Sequence, residues 1–344
     1  MPNNALVAIS GGVDSAVAAS MTLRDGFDCA GAVMMLNRDG YASLEDARSV
    51  AKLLSIPFHV LDFTEIFAEQ VIEPFIATYR LGRTPNPCIT CNKQLKFGSF
   101  LDKASELMMD HIVTGHYAQI EHNAQERYLL KKGSDLSKDQ SYFLYTLTQD
   151  QLARIRFPIG GLTKSQVREI AFEVGFENAR KKESQDICFI PDGDYVNFIN
   201  QYTGVPARKG SFIDENGNKL GEHNGVLAYT VGQRRGLGLS TPQPSYVLEL
   251  RPQDDTIVVG KEDMLYSKSL CAADINLIPF DKLDKPLRAQ VKIRYAHTGQ
   301  PATVHQIGED TLRIDFDEPQ RAITKGQAAV IYDGDIVIGG GTIV

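Results

Sequence analysis

Four short apolar runs mark the first third of the chain: Leu6 to Ile9, Ala30 to Leu36, Phe58 to Leu61 and His111 to Thr114. Each is too short for a buried helix and is flanked by polar or small residues, which predicts strands covered on both faces. Between them, Ala16 to Arg24, Ser43 to Leu54, Phe63 to Tyr79 and Gln94 to Met109 have helix-compatible spacing. This alternation predicts a parallel α/β sheet. Such sheets take ligands at the carboxyl ends of their strands. Three polar motifs fall there: Ser10 to Ser15, Met34-Met35-Leu36-Asn37 and Gly115-His116-Tyr117. Further on, the polar group Lys138-Asp139-Gln140 precedes an aromatic run to Leu147, as at a helix start capped by Asp139 or Ser141. Leu162 to Phe176 then reads as an amphipathic scaffold helix with Val167, Ile170, Ala171 and Val174 inward.

After Phe198 the pattern changes to glycine-rich, alternating segments. Glu215-Asn216-Gly217-Asn218 and His223-Asn224-Gly225 are turn signals, and Gly232 to Gly238 is a basic, glycine-rich stretch around Arg234 and Arg235. Ala289 to Tyr295, Thr311 to Phe316 and the run from Gly326 to Val344 alternate as strands do. The expected organisation is a Rossmann-like parallel α/β domain over 1–199, a small central domain over 200–272 and a β-barrel domain over 273–344.

Composition adds little to this. The chain has 344 residues, 43% of them hydrophobic, enough for two or three cores, and its formal charge of -7 gives no general attraction to polyanions. Any nucleic-acid site must therefore be local. Lys131-Lys132, Arg180-Lys181-Lys182 and Arg234-Arg235 are the basic candidates, and on local pattern alone each reads first as solvated surface. No apolar run is long enough to span a bilayer and the start does not resemble a secretory signal, so a cytoplasmic setting is expected.

Chemistry concentrates in two places. Ser10-Gly11-Gly12-Val13-Asp14-Ser15 follows a strand and opens a helix. Two glycines let backbone N–H groups point inward, the serines add hydroxyls, and the helix start supplies unpaired amides, so the turn suits phosphate. It lacks the lysine of the common nucleotide loop. Asp14 is expected beside a phosphate-bound divalent cation. Met34 is readable as one wall of an adenine slot or as core. The second place is Cys88-Ile89-Thr90-Cys91 with the distant Cys188. A thiolate can carry transferable sulfur as a persulfide and a second thiol can resolve it, but CxxC also occurs in zinc, redox and iron–sulfur sites. Cys29 and Cys271 have apolar neighbours and are expected as buried fillers.

Ser10 to Ser15, Thr84-Pro85-Asn86-Pro87 with Cys91-Asn92, Gly115-His116-Tyr117, Lys138 to Leu147, Asp186-Ile187-Cys188-Phe189, Thr230 to Arg234 and Arg294-Tyr295 occur in one order. Together they resemble the tRNA-specific 2-thiouridylase family over nearly the whole chain. The resemblance implies an ATP pyrophosphatase-type catalytic domain, a small central domain and a C-terminal β-barrel. It also implies ATP and Mg²⁺ as cofactors and, as substrates, the tRNAs for lysine, glutamate and glutamine, thiolated at uridine 34. A cysteine desulfurase or sulfur-relay protein is the implied donor. By the same resemblance Cys188 carries the persulfide and Cys91 releases the sulfur, ending in a disulfide with Cys188. Ser10, Gly11, Gly12, Val13, Asp14 and Ser15 hold phosphate, with Met34 and Gly115 lining the nucleotide site. Asn86, Pro87 and Cys88 face the target base, while His116, Lys138, Asp139, Gln140, Arg294, Tyr295 and Gln327 meet tRNA. Many members have Asp at the position of Cys88, and a thiol with a reference pKa of about 8.5 does not inherit the role of a carboxylate near 3.9. The substitution admits a second reading, in which Cys88, Cys91 and Cys188 hold a [4Fe-4S] cluster, as related tRNA-thiolating enzymes do.

Overall fold

The structure is a computed structural model, described here for residues 3–37, 41–176, 187–240 and 243–344. The basic run Arg180-Lys181-Lys182 and Asp186 of the cysteine motif lie outside the described residues.

The expected parallel sheet is present. β1 (Asn4–Ala8), β2 (Asp28–Met35), β3 (Phe58–Asp62) and β4 (His111–Val113) are followed by a hairpin, β5 (Ala118–His122) and β6 (Tyr128–Lys132), and then by β7 (Ile155–Arg156). Their order in the sheet is β3-β2-β1-β4-β7, all parallel, with Val7 of β1 between Gly31 and Val113. β1 is almost wholly buried because helices cover both sheet faces. One face packs Ala16, Val17 and Ala19 with Val167 and Ala171, and the other packs Phe67, Leu95, Phe97 and Phe100. The scaffold helix runs Lys164–Val174 and starts in a capping box, with Thr163 accepting from the Gln166 amide.

Three of the helical expectations change form. Phe63 to Tyr79 winds as α-helix over Thr64–Phe67 and Glu73–Arg80, with a π-helical turn at Ala68–Ile72 between them. Gln94 to Met109 is the later part of a helix that begins at Pro87 and is π-helical over Cys91–Ser99. The aromatic run after Lys138 forms only a 3₁₀ turn, Ser141–Leu144, because Tyr142 and Leu144 are both drawn fully into the core.

The central sheet contains β8 (Gly210–Ile213), β9 (Lys219–His223), β10 (Tyr246–Arg251) and β11 (Thr256–Gly260), ordered β10-β11-β8-β9. Phe212, Val247 and Ile257 form its core. The last module contains β12 (Tyr266–Leu277), β13 (Leu287–Lys292), β14 (Gln300–Gly308), β15 (Thr311–Arg321), β16 (Ala328–Asp333) and β17 (Ile336–Ile343). β12 pairs with both β15 and β17, which closes the barrel and leaves these six strands no free edge.

The hairpin β5–β6 gave no clear signal in the sequence, and it joins the two ends of the molecule. β6 pairs with β17 through Lys131–Ile336 and Leu130–Val337, so the first domain extends the barrel sheet. Tyr142 donates its hydroxyl to the Ala328 carbonyl at 2.9 Å, and Asn276 donates to the carbonyls of Tyr145 and Leu147. Cys29 is 3% exposed, as expected of a filler. Cys271 is not one: strand alternation turns Leu270 and Ala272 inward and leaves Cys271 half-exposed on the other face.

Candidate functional site

The phosphate turn is ordered from within. Ser15 Oγ accepts from the Ser10 amide at 3.1 Å, lies 3.2 Å from Ser10 Oγ and donates to the Gly12 carbonyl at 2.9 Å. Gly11 has φ +78°, and a Cβ there would sit 2.8 Å from Asp46 Cβ, so only glycine fits. Gly12 precedes the twelve-residue helix Val13–Arg24 and no side chain caps it, leaving first-turn amides for an anion. Gly115 presses its backbone on this turn: a Cβ would lie 2.6 Å from the Asp14 carbonyl carbon. Met34 is half-buried at the edge of the core containing Phe67 and Phe97, so it serves as core on one side and is open on the other.

The missing lysine arrives from far along the chain. Lys164, first residue of the scaffold helix, places Nζ 2.7 and 2.8 Å from the two carboxylate oxygens of Asp14. Tyr117 adds its hydroxyl to Asp14 Oδ1 at 2.8 Å. Both Asp14 oxygens are engaged here, and the neighbouring charge is an ammonium group. The turn therefore does not fit a resident Mg²⁺ site, which needs open oxygen donors in near-octahedral array. Lys164 and Tyr117 were not read as site residues, since the former looked like scaffold and nothing local ties either to Asp14. The only signal was the absence of a lysine from the turn.

The cysteine centre is assembled from two segments. Asn86 caps a helical turn, its Oδ1 accepting from Ile89 N at 3.4 Å, and Pro87 occupies the first helical position. Pro87 is buried, Cys88 is exposed and Cys91 is buried. Cys188 is exposed on a tight turn closed by Ile190 N to the Ile187 carbonyl at 2.8 Å. Its neighbour Phe189 packs edge-on against Phe67 and Phe75, which anchors that turn. Cys88, Cys91 and Cys188 lie within one another's electrostatic reach, although nearly a hundred residues separate them in sequence. Although Cys88 and Cys188 are exposed at the surface, the protein packed around the sulfurs desolvates all three thiols and raises them, Cys188 to about 11, while the ammonium of Lys96 opposes the rise. Among the described residues no group of three His, Cys, Asp or Glu side chains stands at ligand spacing for a metal ion. In this arrangement the cysteines do not fit a preformed cluster site.

Barrel and central sheet both reach this centre. Thr84 donates its amide to the Lys325 carbonyl at 2.9 Å, and Gln327 donates Nε2 to the carbonyls of Thr84 and Pro85 at 3.0 and 3.3 Å. Gln327 thus grips the strap leading to Cys88. Gly82, φ +69°, lies against Pro252 and the Leu250 carbonyl. Tyr295, 39% exposed, packs its ring at a 35° tilt against Phe143 with centroids 4.4 Å apart, and Asn92, beside Cys91, donates to the Phe143 carbonyl at 3.2 Å. Arg294 is exposed next to it, and Lys138 is half-buried.

Three residues expected at an RNA surface have internal roles. His116 is buried between Phe97 and Phe157 with Nδ1 2.7 Å from Thr114 Oγ1, and burial lowers its pKa well below the usual value. The buried Asp139 carboxylate accepts from the amides of Gly133 and Ser141 and from the Ser141 hydroxyl, because an unpaired charge there would be costly. Gln140 exchanges hydrogen bonds with the Tyr117 backbone. These contacts hold the loop between the Ser10–Ser15 turn and the aromatic run.

A parallel nucleotide-type domain with a Ser-Gly-Gly turn, followed by two β modules, defines the class. Family models match in the same order: the tRNA methyl transferase HUP domain over residues 3–192, its PRC-barrel domain over 196–261 and an aminomethyltransferase beta-barrel domain over 267–343. Full-length relatives narrow this further. The tRNA-specific 2-thiouridylase MnmA of Clostridioides difficile is 48% identical over 100% of this chain and 98% of its own length. Those of Acetivibrio thermocellus and Carboxydothermus hydrogenoformans are each 46% identical over 98% of this chain, covering 98% and 96% of the relatives. The chain belongs to the tRNA-specific 2-thiouridylase family. No helix among the described residues is long and apolar enough to cross a membrane.

Proposed function

We propose that this chain is an ATP-dependent tRNA-uridine 2-sulfurtransferase acting on uridine 34 of the tRNAs for lysine, glutamate and glutamine, with sulfur carried as a persulfide. The observation that carries the reading is that Cys88 and Cys91, which follow a strap gripped by the barrel, lie within electrostatic reach of the distant Cys188. Full-length similarity to named 2-thiouridylases supports the activity, and the phosphate turn supports ATP as the activating nucleotide. The proposed catalytic domain covers 1–199, the central domain 200–272 and the barrel 273–344.

The chemistry follows from the leaving group. Uridine O2 attacks the α-phosphorus of ATP, N3 loses its proton, and pyrophosphate departs. The terminal sulfur of a Cys188 persulfide, as its anion, attacks C2, and AMP leaves with the electron pair of the C–O bond. The Cys91 thiolate then attacks Cys188 Sγ, forming the Cys91–Cys188 disulfide. The sulfur stays on C2 and a proton returns to N3, giving 2-thiouridine. A thiol reductant resets the disulfide, and a cysteine desulfurase or relay protein reloads Cys188. The raised thiols suit this order: unloaded, they stay protonated at neutral pH, and a persulfide is the more acidic and more nucleophilic species. In the turn, Lys164 and the helix amides hold phosphate, while Asp14 and Tyr117 orient the lysine. Magnesium travels with the nucleotide as its counter-ion, and the chain's residues supply no step through it.

The test is sulfur transfer from a persulfide donor into unmodified tRNA, with and without ATP, using wild type, Cys91→Ala and Cys188→Ala. Expected is 2-thiouridine from wild type with ATP only, while pyrophosphate, released before sulfur attack, still forms with ATP and tRNA in both cysteine variants. Full activity of Cys188→Ala, or thiolation without ATP, rejects the reading. Iron-dependent thiolation by anaerobically purified protein, with a persulfide donor inactive, establishes the cluster alternative instead.

A further inference from the structure

We infer that Lys96 is the resident counter-charge of the sulfur centre, the group that holds sulfur in its anionic form between Cys188 and Cys91. This rests on the sulfur-transfer reading and adds a residue to it. The chain is π-helical over Cys91–Ser99, and that winding decides where Lys96 points. In an α-helix, residues five apart are rotated by about 140°. In the i→i+5 winding the offset is far smaller, so the two share one side of the helix, and π-turns concentrate at functional sites. The wide turn thus puts Lys96 on the side of the helix that carries Cys91.

The electrostatics agree with that placement. Lys96 lowers the pKa of Cys88, Cys91 and Cys188 alike, against the burial that raises them. The groups acting on these thiols are the thiols themselves and Lys96, and its charge also bears on buried His116. Lys96 is half-buried and forms no ion pair with a carboxylate among the described residues. The lysine of the phosphate turn differs on this point, since Asp14 neutralises it. A partly desolvated cation without an anionic partner favours an anionic visitor. The sulfur species of this reaction are anions: the persulfide before attack, the thiolate that resolves it and the persulfide of the donor.

Lys96→Met and Lys96→Arg in the full chain test this. Cysteines are alkylated in parallel with neutral iodoacetamide and anionic iodoacetate, with site-specific rates read by mass spectrometry. Both reagents need the same thiolate, so the ratio of their rates reports local potential. Lys96→Met should lower the iodoacetate-to-iodoacetamide ratio at Cys91 and Cys188 about fivefold, and Lys96→Arg should hold it within about twofold of wild type. Thiolation at saturating ATP should fall in parallel, while pyrophosphate release on tRNA keeps its wild-type rate. An unchanged ratio in Lys96→Met overturns the inference. Should Lys96→Met not fold, the same ratios in Lys96→Gln decide it. Failure of wild type to thiolate tRNA rejects the sulfur-transfer reading instead, and the two failures are separate.

Discussion

Cys188, the proposed sulfur carrier, is chemically quiet in its unloaded form. Its neighbours Phe189 and Ile190 anchor the turn, and burial pushes its thiol up to about 11. The sign follows: below that value the thiol is protonated, so alkylation of Cys188 should rise about tenfold per pH unit from pH 8 and bend near 11. A bend near the ordinary thiol value would mean that the turn is not packed as described. At the phosphate turn, Lys164→Ala removes both contacts to Asp14 and leaves its carboxylate beside the Tyr117 hydroxyl alone. ATP-dependent pyrophosphate release should fall at least tenfold, and thermal unfolding should show a loss of about 1–3 kcal/mol. The turn was legible in the sequence, because its glycines and serines are adjacent. Its lysine was not, because Lys164 and Asp14 are 150 positions apart and only folding introduces them.

Elements hold the site through close backbone approach. The loop at Gly115 lies directly on the phosphate turn, so Gly115→Ala forces a Cβ to within 2.6 Å of backbone that cannot give way. Nucleotide affinity should weaken more than tenfold, while sulfur loading of Cys188 is retained, measured by isothermal titration and persulfide labelling. The scaffold helix contributes through its cap: Thr163→Ala removes the capping box and should cost about 1 kcal/mol, read by denaturant unfolding. Most strands were visible as short apolar runs. The π-helical stretch at Cys91–Ser99 was not, since one helical pattern serves both windings until packing of Leu95, Phe97 and Phe100 selects the register. The hairpin β5–β6 was missed because Glu121, His122, Lys131 and Lys132 make it polar, and its partner strand lies two hundred residues away.

Across the whole molecule, the barrel and the catalytic domain form one continuous structure. Tyr142 is fully buried and donates across the seam to Ala328. Tyr142→Phe should leave that carbonyl unpaired, lower stability by about 1–3 kcal/mol and raise hydrogen exchange along β16 and β17 together; calorimetry and exchange mass spectrometry check both. Exchange confined to one strand would show that the seam is not cooperative. By itself the sequence determined the α/β class, the phosphate turn, the cysteine pair and the succession of modules, because each rests on neighbours in the chain or on a periodic pattern. The tertiary structure alone decided that Asp14 faces an ammonium group, that His116 and Asp139 point inward, and that Cys188 comes within electrostatic reach of Cys91. Those outcomes depend on burial and on contacts between distant segments, and local order in the chain does not encode which distant partner a charge will find.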